Sequence, residues 1–252
     1  MKFARFTAGG KVHGGLVEGS QVKVVEGDIF GTYRLTGQTF ALAEVRLLAP
    51  VVPSKIIGAG LNYKAVAKAR GVEFPAMPIL FMKPPSCVIG TGQAIVLPDA
   101  VKQPVFEGEI AVIIGKKGKN IPADKASDYI FGFTLANDVT ARDHMIKGQP
   151  WTRGKAFDTF TPLGPWLVSG LDPANIDLSL TINGEERQNG NTSDMIFSIA
   201  ELIADISRLM TLEAGDVILS GTPYGGSEFA RGDTIEVRSP QIGVLTNAVT
   251  GE

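Results

Sequence analysis

Apolar and polar side chains alternate in short runs through the first fifty residues, and glycines break the runs. That period of two predicts strands over residues 2–6, 12–18, 21–26 and 44–48. Pro50 and Pro53 bracket a change of character. Residues 55–63 read as a strand running into a loop. Lys64–Arg70 is helix-prone, and Gly71 is placed to end it. Four prolines, Pro75, Pro78, Pro84 and Pro85, then hold an extended segment. Strands follow at 94–97, 105–114 and 130–137. Residues 176–182 with Asn183-Gly184 and the polar stretch after them read as a hairpin. The clearest helix spans 195–210. Met195, Ile199, Leu202, Ile203, Ile206 and Leu209 form its apolar stripe, and Thr192 or Ser193 is the expected cap. Strands at 217–220, 234–237 and 243–248 complete the chain. Strands dominate and do not alternate with helices, which predicts a β-rich α+β fold. The expected division is a small N-terminal β domain over 1–52 and a larger domain over 53–252.

One strand departs from its pattern. In Val105-Phe-Glu-Gly-Glu-Ile-Ala-Val-Ile-Ile114, Glu107 and Glu109 are two apart and share a face. Val105, Ala111 and Ile113 lie on that same face, so two carboxylates sit in a run expected to be buried on both sides. Buried carboxylates require cations or protons, and hard oxygen donors suit magnesium, manganese or calcium. A polar edge strand facing water also fits an isolated Glu-x-Glu. Asp138 follows the next strand, with Thr140, Arg142 and Asp143 close behind. Taken alone, that stretch also fits a turn with an Arg142–Asp143 surface pair. Lys155 lies between glycine and alanine among aromatic residues, a setting for neutralising a carboxylate cluster or holding an anion, although a lysine extended to solvent fits too. Ser220-Gly221-Thr222-Pro223 ends a strand, and its amides and hydroxyl are candidates for binding a carboxylate oxygen. The glycine spacing is not that of a phosphate loop.

Composition narrows the reading. The chain has 252 residues, enough for a large core, and its net charge of −2 gives no electrostatic case for nucleic acid or an anionic membrane. No apolar run approaches the ~20 residues of a membrane span. Cys87 is the single cysteine, so no internal disulfide forms, and a soluble cytoplasmic protein is the expectation. Cys87 reads as small apolar filler. The only histidines are His13 and His144, which disfavours a zinc site or a Ser-His-Asp arrangement. His13 reads as a surface residue, and His144 either reaches toward Asp138 or is solvated.

In this order, Gly60-Leu-Asn-Tyr63, Phe81-Met-Lys-Pro-Pro85, Glu107-Gly-Glu109, Asn137-Asp-Val-Thr-Ala-Arg-Asp143, Lys155-Ala-Phe-Asp-Thr-Phe160, Pro162-Leu-Gly-Pro165 and Ser220-Gly-Thr-Pro223 resemble the fumarylacetoacetate hydrolase family over roughly residues 53–250. The resemblance implies a mixed β-roll catalytic domain with a small N-terminal β appendage, in a homodimer. It implies that Glu107, Glu109 and Asp138 bind Mg2+ or Mn2+. It places Arg142, Lys155, Gly221 and Thr222 at the substrate, with Lys155 and Arg142 as catalytic cations. The implied substrate is a small 2-oxo or β-diketo acid, and the implied reaction is isomerisation or tautomerisation, decarboxylation or C–C hydrolysis through a stabilised enolate. A non-catalytic metal- and carboxylate-binding member is the alternative. Two departures matter. The lid histidine and glutamate that many members carry three and six residues past the tyrosine are Val66 and Ala69 here, and a frequent glutamine is Met145. Poor acylpyruvate hydrolysis is therefore expected, with Lys64 or Lys68 as candidate replacement bases.

Overall fold

The computed structural model of the protein describes residues 1–252. Its main sheet runs, edge to edge, through Tyr33–Ala41, Gln21–Gly27, Lys11–Glu18, Lys2–Ala8, Thr161–Val168, Ile130–Asn137, Gly108–Ile114, Val217–Leu219, Ile56–Gly60 and Ile79–Lys83. The N-terminal strands are thus a continuation of this sheet, joined where Lys2–Ala8 pairs antiparallel with Thr161–Val168. A five-stranded sheet, Glu185–Asn191, Asp177–Ile182, Thr234–Ser239, Gly243–Gly251 and Ile95–Leu97, packs against the main one. The largest apolar core lies between them, with Ile110, Val112 and Leu135 meeting Leu180, Val237 and Leu245, and with helix Ile199–Leu209 closing one side. Ala111 and Ile113 face the opposite way, into a second cluster with Phe3, Leu163 and Leu167. Gly108–Ile114 is consequently buried along its whole length, as its near-continuous apolar run demands. The architecture is β-rich α+β.

Several boundaries differ from the sequence-based expectation, each for a physical reason. The predicted strand 105–114 is split. Pro104–Val105 pairs with Thr140–Ala141, Phe106 and Glu107 bridge the gap, and the main-sheet strand begins at Gly108. The long helix begins at Ile199 rather than Met195. Its cap is Ser198, whose hydroxyl accepts from the Glu201 amide while the Glu201 carboxylate accepts from the Ser198 amide at 2.8 Å. Thr192 and Ser193 instead lie in a separate 3-10 turn capped by Asn191. Leu209 is 64% exposed, so the buried stripe ends at Ile206. Tyr33–Ala41 and Ile79–Lys83 are strands at the two sheet edges, where polar or exposed positions blur the alternation. Thr161–Val168 is central but carries Pro162 and Pro165, which withhold amide donors. Its pairing with Ile130–Asn137 shifts register between Phe133 and Leu135.

Candidate active site

Antiparallel pairing builds the acidic cluster. Gly108 stands opposite Asn137, so the strand start carrying Glu107 and Glu109 meets the strand end carrying Asp138. The Asp138 amide donates to the Glu107 carbonyl at 2.8 Å, and the Glu107 amide donates to Asn137 Oδ1 at 2.9 Å. One carboxylate oxygen from each of Glu107, Glu109 and Asp138 falls within 4.8 Å of the other two. Glu109 and Asp138 are buried, and Glu107 is partly open to the cavity.

Two lysines answer this charge. Lys155, at the end of the short helix Thr152–Lys155, donates to Glu107 Oε2 at 2.5 Å and also to Asp138 Oδ2. Lys83 enters from the edge strand and donates to Asp138 Oδ1 at 2.5 Å, to the Phe160 carbonyl at 2.7 Å and to the Val139 carbonyl at 3.2 Å. Burial alone would raise the Asp138 carboxyl, but Lys155 and Lys83 outweigh it and hold Asp138 below its usual range. Burial works against the Lys155 ammonium too, yet Asp138 and Glu107 prevail and keep it protonated well above the ordinary lysine value. The Lys83–Asp138 pair is lopsided, because burial depresses Lys83 by more than Asp138 restores. Glu109 has no lysine. It accepts only the Gly221 amide, at 2.7 Å, so burial and then the Asp138 charge push its carboxyl well above the usual range. Glu107 and Asp138 thus face lysines, and buried Glu109 does not.

The cluster floors a cavity of about 260 Å³ walled by Leu61, Phe81, Met145 and Trp151, with Arg142, Lys155 and Thr222 at its polar side. Phe81 and Trp151 pack with ring centroids 5.4 Å apart. Trp151 also occupies the space beside Gly60 where a side chain would sit. Lys155 Nζ lies 4.8 Å from the Phe81 ring. Arg142 is left free for the cavity because its neighbour Asp143 turns away to accept from the Lys102 and Gln103 amides, at 2.8 and 3.2 Å. The Arg142–Asp143 surface pair does not form. Thr222 Oγ1 donates to the Gly108 carbonyl at 2.9 Å and accepts from Gln188 Nε2 at 2.8 Å. The Gly221 amide is spent on Glu109, and Gly221 does not line the cavity. At φ +101° it adopts a backbone that favours glycine, and an added Cβ would lie 2.8 Å from the Asn62 side chain. Asn62 bonds the Ser220 carbonyl and the Phe197 backbone, which pins the start of the lid helix Lys64–Arg70 to the cavity wall.

Other sequence candidates lie elsewhere. His13 stacks on Phe6 in the N-terminal strands, and His144 bonds the Ala100 carbonyl at 3.1 Å without reaching the cavity. Cys87 is buried, and burial raises its thiol to about 11, in keeping with filler. Neither Lys64 nor Lys68 lines the cavity. Two residues of the site were not anticipated, Lys83 buried against Asp138 and Arg70 at the cavity wall. Lys83 gave little signal because Pro84 and Pro85 mask its strand. Arg70 did give one, since it lies four residues after Val66 and so shares its helix face.

The model of the fumarylacetoacetate hydrolase C-terminal domain matches residues 55–250, and a model described as Rv2993c-like, N-terminal matches residues 1–50. The chain belongs to the fumarylacetoacetate hydrolase family. It is 42% identical to human oxaloacetate tautomerase FAHD2A, mitochondrial, over 82% of this chain and 70% of that one. Its structure resembles that of a 5-carboxymethyl-2-hydroxymuconate delta-isomerase from Mycobacterium smegmatis, with TM-score 0.94, 39% identity and full coverage of both chains. It also resembles maleylpyruvate hydrolase from Sphingobium sp. SYK-6 in complex with manganese (II) ion and pyruvate, with TM-score 0.81, 29% identity, and 100% of this chain and 99% of that one covered. Family relatives thus carry isomerase, tautomerase and hydrolase names.

The donor set here fits a hard divalent cation. Three convergent carboxylate oxygens are available, and buried Glu109 lacks a cationic partner. The helix Lys64–Arg70 is capped by Gly71 at φ +63° and presents Val66 to the cavity, with Ala69 beside a neighbouring hollow, where the family resemblance leads one to expect a histidine and a glutamate.

Proposed function

We propose that the protein is a divalent-metal-dependent enzyme that tautomerises or isomerises a small 2-oxo dicarboxylic acid, oxaloacetate being the compound to test first. The observation that carries this reading is the under-compensated Glu107–Glu109–Asp138 cluster at the floor of a cavity of about 260 Å³. The oxaloacetate tautomerase and muconate isomerase names of its relatives agree with it. Magnesium or manganese held by the three carboxylates would supply Lewis-acid polarisation of the substrate's 2-oxo group, which eases proton loss from the adjacent carbon.

The chain's own residues supply the rest. Lys155 lines the cavity with its ammonium on Glu107 and Asp138, where it holds the carboxylates in place and can share a hydrogen bond with a substrate oxygen. Arg142 offers a bidentate fork to a carboxylate. Phe81 and Trp151 exclude water from one wall. Val66 and Ala69 provide nothing that could activate a water molecule, so C–C hydrolysis ranks below proton transfer between carbon and oxygen. The test follows the ultraviolet absorbance of enol oxaloacetate as it relaxes to the keto form. Faster relaxation with protein plus Mg2+ or Mn2+, abolished by chelator, is expected. Metal-bound protein that leaves both the relaxation and decarboxylation rates unchanged would point instead to a binding protein.

A further inference from the structure

Resting on that reading, we propose that Arg70 turns the lid into an anion-recognising element: Arg70 and Arg142 together clamp the substrate carboxylate remote from the acidic cluster, so the protein selects dicarboxylic over monocarboxylic 2-oxo acids.

Four observations carry this. First, Val66 and Arg70 both line the 260 Å³ cavity, and the helix period puts them on one face. Positions 66 and 69 carry no proton-transfer group, and the cavity face of the helix carries a fixed positive charge at Arg70. Second, the cations deeper in the site are already committed, Lys155 to Glu107 and Asp138, and Lys83 to Asp138. Arg70 and Arg142 have no carboxylate within salt-bridge distance. They are the guanidiniums of the cavity with free donors. Third, a neighbouring hollow of about 340 Å³ shares Val66, Arg70, Glu107, Arg142 and Thr222 with the first. Both arginines thus border the same open space as a carboxylate of the cluster. Fourth, the lid is tethered at one end only. Asn62 and the Ala65 amide, which donates to Asp194 Oδ2 at 3.2 Å, hold its start, while Lys68, Ala69 and Arg70 are exposed. A carboxylate bridging Arg70 to Arg142 ties the free end to the body, and each planar guanidinium can grip two oxygens.

The test uses the magnesium-loaded full chain, Arg70→Met and Arg70→Lys. Calorimetry compares malate with lactate, which differ by one carboxylate and do not turn over. Steady-state kinetics with oxaloacetate uses pyruvate as inhibitor. Arg70→Met is expected to weaken malate binding and raise KM for oxaloacetate by about 10- to 100-fold, the range for losing one charge-assisted pair. Lactate affinity and pyruvate inhibition should stay within about twofold, and Arg70→Lys should recover part of the loss. Because Arg70 is exposed and unbonded, all three proteins should melt alike. Wild type that turns over oxaloacetate but shows no preference for malate, or an Arg70→Met variant that keeps the preference, overturns the role of Arg70 while leaving the proposed function intact. Wild type that neither turns over oxaloacetate nor binds either acid overturns both.

Discussion

At the residue scale, the site is a problem in buried charge. Asp138 and Lys83 are fully enclosed, and breaking such a pair from one side leaves a charge without its partner. Lys83→Met should therefore destabilise the metal-free protein by about 3 kcal/mol or more, read from urea unfolding midpoints at constant m. A change below about 1 kcal/mol would mean that Lys155 alone satisfies Asp138. The carboxylates were legible in the sequence because an acidic pair interrupts a run apolar on both faces. Lys83 was not, because a lysine before two prolines looks like a loop residue, and only the sheet order brings it under Asp138. The Gly221 amide was also read from sequence as a binding group. Its partner in the structure is Glu109, a contact that depends on the Val217–Leu219 strand lying beside Gly108–Ile114.

At the scale of elements, patterning located most strands and the long helix but misplaced that helix's start. The decisive signal was Ser198 with Glu201 three residues later, obscured by the apolar Met195 and Ile196 before it. Ser198→Ala should cost about 1 kcal/mol at neutral pH. The Ser198 hydroxyl and amide hold the Glu201 carboxyl below its usual range. A depressed folded-state value means that the contribution is complete above the unfolded value, ~4.3, and fades as pH falls through the lower folded one. The gap between wild type and Ser198→Ala in chemical denaturation should accordingly narrow in acid; a gap constant to pH 2 would contradict the box. The lid makes a functional prediction. Its helix borders the cavity through Val66 and Arg70, while positions 66 and 69 lack proton-transfer groups. Wild type should cleave acetylpyruvate slowly, and Val66→His with Ala69→Glu should speed magnesium-dependent cleavage by about 100-fold, the lower end of general acid–base contributions. Rapid cleavage by wild type would show that another group activates water.

At the scale of the whole molecule, the two sheets enclose one continuous core, and the acidic cluster sits at the open end of the main sheet's central strands. No helix is long and apolar enough to cross a membrane. Nothing in the local pattern announced that the N-terminal strands would join the main sheet, because their partner is the proline-bearing strand Thr161–Val168. The fold delivers Lys155, Arg142, Thr222 and the lid from four separate stretches of chain to one cavity about the carboxylates. Everything proposed for that cavity depends on whether the cluster takes a divalent ion. The direct measurement is calorimetric titration of manganese into chelator-treated wild type and Glu109→Gln. Wild type should bind one ion per chain, and the variant, without its uncompensated carboxylate, should fold normally while binding at least ~100-fold more weakly, the upper end of the loss seen for groups that merely support a ligand. Wild type that takes up no ion, or a variant that binds as tightly as wild type, would contradict the metal site.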